Sequence, residues 1–465
     1  MRAVGPVGRG ADRAGQPGWQ AEWGSPWVRL APLVALALLL PASVPPSVGA
    51  QGKYSPEAEF SRDVLPGGLT VLVEQRPGSG LVALEVAILA GARFEDSDTA
   101  SAAQFLEQLL QDGTPTRPTR RDLQRAITSR GGDLSVSAGW ELVRLSTEVA
   151  SEDFALALDV LSDMVLRSTF SPEQFEAERV LILQNLAERE DTPADLLYDI
   201  AEATALGDTR LRHLPSGSRE GVEALGYDDL LRYRARQIVS GNVIVAIAGD
   251  VRRDDVLPQV QRVFDSLPVG PRHTPRALPS GPPPNLVERV AGSEQSNLAV
   301  AVRTPGATNP ERAALVVLAA ILGGGGQRLY EEIRDKRGLA YNTGTSFLQM
   351  GDAGVLLAMA GTEPRSAEQV AALLRAELQR LSDEPPTAEE VAQSIAYVVD
   401  GQIVSLETNS ARARDLARRE ALYGVAPPRA QFLRQVQAVR PADVQAAARR
   451  YLAPERQLTV VLRPD

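Results

Sequence analysis

Apolar positions in this chain follow two periods. Residues 69–74 (LTVLVE), 81–90 (LVALEVAILA), 134–138, 141–149 and 242–248 are short β-rich runs that predict strands. Pro77, Gly78, Ser79 and Gly80 separate the first two runs and predict a hairpin-type turn. Residues 99–111, 119–130, 152–166, 172–190 and 227–237 carry apolar side chains at helical spacing. Gly131 and Gly132 close one of these helices. Ser171, Pro172 and Gln174 open another as N-cap, first-turn proline and capping-box glutamine.

The same grammar then repeats. Residues 298–303, 340–347, 353–360 and 457–462 predict strands, and 311–322, 327–334, 366–381, 388–406 and 442–451 predict helices. The final helix and strand echo 227–237 followed by 242–248, which argues for a duplicated unit. Between the halves lies LPVGPRHTPRALPSGPPP, a proline-rich stretch expected to be a structureless linker. The expected fold is α+β, with two homologous sandwich-like halves. Its parts are an extension at 1–50, an N-terminal domain at 51–266, a linker at 267–284 and a C-terminal domain at 285–465.

Composition narrows the function. A net charge of −10 with no basic stripe excludes a nucleic-acid binder. There is no cysteine, and the two histidines, His213 and His273, are remote in sequence from each other, so no Cys/His zinc site can be assembled. A site of carboxylates alone would suit magnesium or calcium better. His213 is expected to be structural, and His273 is expected to be solvated in the linker.

Near the start, Arg29 precedes an apolar run at 30–42, and small residues at 47–50 lead to Gln51. That is the pattern of a secretory signal peptide, and the run is short for a membrane span. The expectation is export to a periplasm with no stable membrane span after cleavage; an uncleaved anchor is the alternative.

The chemistry-bearing segment is Gln104-Phe105-Leu106-Glu107-Gln108. On a helix, positions 104, 107 and 108 share a face. Histidines at 104 and 108 would make the inverted motif H-x-x-E-H, with two imidazoles on zinc and the glutamate as general base. Both are glutamines here, and a carboxamide oxygen is a poor zinc ligand. The chain is expected to be a catalytically silent relative of a zinc peptidase. Glu107 is then a degenerate general-base position or, alternatively, a helix-surface carboxylate. The glycines at 323–326 lack a following G-K-[ST] and predict a turn with close backbone approach rather than a phosphate loop.

These motifs, with 175–191 (FEAERVLILQNLAERED), 242–251 (NVIVAIAGDV) and 323–341 (GGGGQRLYEEIRDKRGLAY), make the chain resemble the pitrilysin/insulinase family of inverted-motif zinc metallopeptidases. That family includes the mitochondrial processing peptidase subunits and paired bacterial homologues, and the likeness runs from about residue 54 to the C-terminus. The resemblance implies the LuxS/metallopeptidase-like fold, zinc-histidine positions at Gln104 and Gln108, the base position at Glu107 and a third ligand position at Asn185. All three ligand positions hold neutral amides.

The second half departs from this degeneracy. In active relatives an arginine and a tyrosine spaced R-x-x-x-x-x-x-Y hold the substrate backbone and its scissile carbonyl, and Arg334 and Tyr341 fit that spacing. The resemblance therefore implies a non-catalytic subunit with no metal of its own. It would pair with a homologous zinc-bearing peptidase subunit, lend it Arg334 and Tyr341, and act on peptide substrates. The alternative is a peptide-binding or scaffolding homologue, including a homodimer; residual hydrolysis near Glu107 is a third possibility.

Overall fold

A computed structural model describes residues 60–208, 213–279, 281–290, 294–325 and 327–464. The proposed signal segment lies outside the described residues. These described residues form one compact unit.

Its frame is two sheets of related topology. The first contains β1 (Ser61–Val64), β2 (Thr70–Gln75), β3 (Leu81–Ile88), β4 (Asp133–Ala138), β5 (Val143–Ala150) and β6 (Val243–Gly249), in the order β1-β2-β6-β3-β5-β4. The second contains β7 (Leu286–Val290), β8 (Ser296–Pro305), β9 (Ala340–Gln349), β10 (Ala353–Thr362) and β11 (Gln457–Arg463), in the order β7-β11-β8-β10-β9. Within the first sheet β2 and β6 are parallel; within the second β7 and β11 are. Every other pairing is antiparallel. With β1 set aside, the two sheets superpose strand for strand in order and direction, so the repeat in the sequence is a repeat in topology.

The turn at 77–80 does not close a hairpin. β2 and β3 each pair with β6, which lies between them. Every residue of β6 is buried, so this strand is stable only in the interior of the sheet. The turn is instead held by Asp250, whose Oδ2 accepts the N–H groups of Gly78 (3.0 Å) and Gly80 (3.2 Å).

The helices are α1 (Ala102–Leu109), α2 (Arg120–Thr128), α3 (Phe154–Arg167), α4 (Pro172–Glu190), α5 (Pro193–Ala205), α6 (Arg219–Ala224), α7 (Tyr227–Gln237), α8 (Arg253–Val263), α9 (Arg312–Gly323), α10 (Ala367–Asp383), α11 (Ala388–Ser405), α12 (Asn409–Tyr423), α13 (Arg429–Gln437) and α14 (Pro441–Tyr451). Alternate strand residues face opposite sides. On one side of the first sheet, Val71, Val73, Val86 and Val245 join a core with Phe105, Leu161 and Leu230 from α1, α3 and α7. On the other side, Leu72, Ala87, Ile244 and Ala246 meet Leu416 and Ala417 of α12, a helix from the second half. The second sheet mirrors this. One face packs on α9, α10, α11 and α14. Its other face, including Ala299, Val355, Leu357 and Val460, packs on Leu197, Ile200 and Ala201 of α5, a helix from the first half. Each half thus covers the other's sheet with one helix.

Ionic contacts seal the exchange. Glu74 on β2 is buried and accepts from Arg412 (2.5 Å) and Arg429 (2.8 Å), and Arg429 also reaches Asp415 (2.8 Å). Arg93, with its side chain 2% exposed, bridges to Asp352 (2.5 Å) and donates to the Arg276 carbonyl (2.8 Å). Residues 268–279 contain neither helix nor strand, as expected, but they are not without partners. Ser240 donates its N–H to the Pro268 carbonyl and Arg276 to that of Arg93. His273 is half-buried rather than solvated: its N–H donates to Asn242 Oδ1 at 2.8 Å. No described helix is long and apolar enough to cross a membrane.

Candidate active site

Helix α1 carries the altered motif and starts without a capping side chain of its own. Ser101 precedes it in the left-handed region, at φ 71°. Glu95 does the capping instead: its carboxylate accepts the N–H groups of Ser101 (3.0 Å) and Ala103 (2.9 Å), two of the otherwise unpaired amides at a helix start. His213 Nδ1 lies 3.4 Å from that carboxylate, and the His213 N–H donates to Asp208 at 2.8 Å. The histidine that is remote in sequence therefore stands at the N-terminus of α1, in a bracing role. Burial pushes Glu95 above the ordinary carboxylate range, offset by His213 and the two amides.

Further along α1, Glu107 is 5% exposed. It is therefore a buried acid and not a helix-surface carboxylate. One oxygen accepts the backbone N–H of Ala138 at 2.7 Å, the other accepts from Gln108 Nε2 at 3.1 Å. Burial raises its pKa to about 7, against the opposing pull of the Ala138 N–H and of Arg120 and Arg144. Gln104 is buried as well, and its Oε1 has no hydrogen-bond donor.

Helix α4 packs beside α1 through the stacked rings of Phe105 and Phe175, 4.7 Å apart. Glu178, one turn beyond Phe175, accepts from Arg120 at 2.7 Å, and the same guanidinium bonds Asp112 at 2.6 Å and reaches the Gln108 carbonyl at 3.4 Å. Burial and the charge of Asp112 push Glu178 up to about 6, with Arg120 opposing. Sequence reasoning passed over Arg120, Asp112 and Glu178 as a unit, because the three are joined only when α2 folds back across α1 and α4. Asn185 lies two turns beyond Glu178 on α4 and is exposed. No hydrogen bond among the described residues ties it to Gln104 or Gln108.

In the second half, Arg334 sits in a π-helical turn, Tyr330–Asp335, just before β9. Such turns are rare and frequent at functional sites. Its guanidinium lies 4.7 Å from the ring centre of Tyr341 and donates to the Tyr341 carbonyl at 3.1 Å. Tyr341 is 72% exposed near the start of β9, the edge strand of its sheet. Neither residue contacts Gln104, Glu107, Gln108 or Asn185 among the described hydrogen bonds and ring contacts. The glycines before this turn have the close-approach role expected of them. A Cβ on Gly323 would stand 2.5 Å from the Thr345 nitrogen, and one on Gly324 or Gly325 would stand 2.7 Å from Tyr397.

Comparison with known proteins places this arrangement. A sequence model described as "Insulinase (Peptidase family M16)" matches residues 70–214, and one described as "Peptidase M16 inactive domain" matches residues 224–398. An uncharacterized zinc protease of Mycobacterium tuberculosis is 32% identical over 410 residues, covering 87% of this chain and 93% of the relative. The chain belongs to the insulinase family, peptidase family M16. A further relative, an uncharacterized zinc protease of Streptomyces coelicolor, is 29% identical over 86% of this chain and 89% of its own length. In fold, the M16 chain is similar to a peptidase M16 inactive domain from Pseudomonas fluorescens, with a TM-score of 0.79, 21% identity, and 87% and 98% of the two chains covered. It is also similar to a protease from Helicobacter pylori, with a TM-score of 0.78, 21% identity, and 87% and 99% covered.

The residues that the sequence resemblance assigns to zinc do not fit that metal. Gln104, Gln108 and Asn185 offer only neutral carboxamides. Gln108 already spends its amide on Glu107, and Asn185 faces solvent. Among the described residues no three His, Cys, Asp or Glu side chains converge as metal ligands. What the helix pair offers chemically is a buried acid held up to about 7 by burial, and an orphaned amide oxygen.

Proposed function

We propose that this chain is a non-catalytic, zinc-free subunit of a heteromeric peptidase of the insulinase family. In this role it lends Arg334 and Tyr341 to the active site of a homologous partner that keeps H-x-x-E-H. The observation that carries this proposal is the contrast between the halves. The ligand positions hold amides, whereas Arg334 and Tyr341 are joined to each other, the arginine half-buried and the tyrosine exposed, with no described hydrogen bond or ring contact to α1. A guanidinium with donors to spare and a phenol are directional hydrogen-bond donors, suited to a peptide carbonyl as negative charge develops on it. The partner would supply the metal and the base.

Mixing this chain with such a partner should produce peptidase activity that neither shows alone. An oxyanion-directed donor is typically worth about 10²–10³ in turnover, so Arg334→Ala or Tyr341→Phe should lower the mixed activity by roughly that factor. If both variants leave turnover unchanged while the complex still forms, the contribution to catalysis is wrong and a scaffolding role remains. We also propose export to a periplasm through the segment before Gln51. N-terminal mass analysis of the chain from the cell envelope should find Gln51 first, and an intact Met1 in the cytoplasm would refute export.

A further inference from the structure

Arg334 differs from its charged neighbours. Lys336 and Arg337 both pair with Glu332, at 2.8 Å for the lysine. Arg334 forms no ion pair with any described residue and makes one hydrogen bond, to a carbonyl that leaves most of its donors unused. A surface arginine in that state ordinarily samples many rotamers. This one is held by two aromatic rings: Tyr330 at 4.8 Å and Tyr341 at 4.7 Å from its guanidinium carbon. No ring contact among the described residues joins Tyr330 to Tyr341, so the guanidinium is what links them. Tyr330 opens the π-helical turn and Arg334 lies four residues on within it. The wide turn thus presents ring and cation together, ahead of the edge strand that carries Tyr341.

We infer that Tyr330 is a third member of the Arg334–Tyr341 unit, a positioning residue that holds the guanidinium ready for a carbonyl or carboxylate oxygen of a peptide. The inference rests on the proposed role of Arg334 for its purpose, but not for its geometry. A planar cation stacked on rings keeps its edge donors free and loses less freedom on binding than a mobile one. What Tyr330 contributes is the ring face and not the hydroxyl, so phenylalanine should substitute for it.

The geometric part can be tested on the purified full chain. Phenylglyoxal attacks accessible guanidinium groups, and peptide mass spectrometry reads Arg334 and Arg337 separately. Loss of one ring contact worth about 1 kcal/mol corresponds to roughly fivefold, so Tyr330→Ala should speed modification of Arg334 by about that factor. Tyr330→Phe should stay near the wild-type rate, and Arg337, held by the Glu332 carbonyl at 2.7 Å, should not change in either variant. An unchanged Arg334 rate in Tyr330→Ala overturns the inference. So does an equal rise at Arg334 and Arg337, which would mean that Tyr330 only packs the turn. In the mixed peptidase, Tyr330→Ala should lower kcat/KM about fivefold and Tyr330→Phe should restore it, by the same conversion. If the modification rates behave as expected and turnover does not respond, the clamp stands and the role in the partner's active site falls.

Discussion

The Glu107 carboxylate accepts the backbone N–H of Ala138 at 2.7 Å, which ties the helix of the altered motif to the edge strand of the first sheet. The buried acid is thus a strut between a helix and a strand. Its burial raises its pKa from the ordinary 4.5 to about 7.

That shift sets the sign of a pH effect. A carboxyl whose folded-state pKa lies above its unfolded value costs the fold nothing below the unfolded value. The cost grows as pH rises through the folded value and is constant above it. Glu107→Gln should therefore stabilise the chain above pH 7, by at most about 3 kcal/mol for a rise of this size, and much less at pH 5. Urea unfolding at the two pH values checks this. An equal effect at both, or a loss confined to high pH, would contradict the assignment of burial as the dominant cause.

Metal content offers a second test. The purified chain should carry no stoichiometric zinc, because its three positions hold carboxamides. Gln104→His, Gln108→His and Asn185→Glu together should bring zinc to about one per chain, as α1 and α4 already pack through Phe105 and Phe175. Elemental analysis of both proteins decides. A wild-type chain with one tightly held zinc sinks the donor argument, and an empty triple variant means that at least one of the three positions is mis-mapped.

The helix exchange predicts interdependent halves. Glu74→Gln removes the charge that Arg412 and Arg429 share across the interface, and should cost about 3 kcal/mol, as is typical when one partner of a buried pair is lost. A fragment ending at residue 266 lacks α12, so Leu72, Ala87, Ile244 and Ala246 would face water. It should aggregate or bind hydrophobic dyes alone, and recover when coexpressed with the remainder. A soluble, monomeric fragment with native near-ultraviolet dichroism would show that α12 is dispensable.

Much of this was legible in the sequence. The buried strands and the helices with apolar stripes stand close to their expected bounds, because period and caps are local signals; helix α4 begins at Pro172 with the capping box in place. Helices α6, α8 and α13 lie outside the expected elements, and so do α5 and α12, which cover the sheets. Both had signals, Thr192-Pro193 before one and Thr408 with Gly424 around the other, but α12 is largely charged and touches its sheet through alanines and a leucine. The false hairpin at 77–80 has a different cause. Nothing local announces that β6 will slip between β2 and β3, since that pairing joins segments far apart in the chain. At the site, motif spacing and the family resemblance single out Gln104, Glu107, Gln108, Asn185, Arg334 and Tyr341 as candidates. It did not reveal that Glu107 is buried, that Glu95 and His213 hold the start of α1, or that Tyr330 flanks Arg334, because all three are products of packing.

The exchange of α5 and α12 also bears on how this chain is made. A ribosome delivers β1 to β6 well before Asn409–Tyr423, so the first sheet emerges with one apolar face that no neighbouring segment can cover. Contacts across such a span form slowly, and an open sheet face in the meantime invites association. The first sheet thus keeps that face uncovered until synthesis is nearly complete.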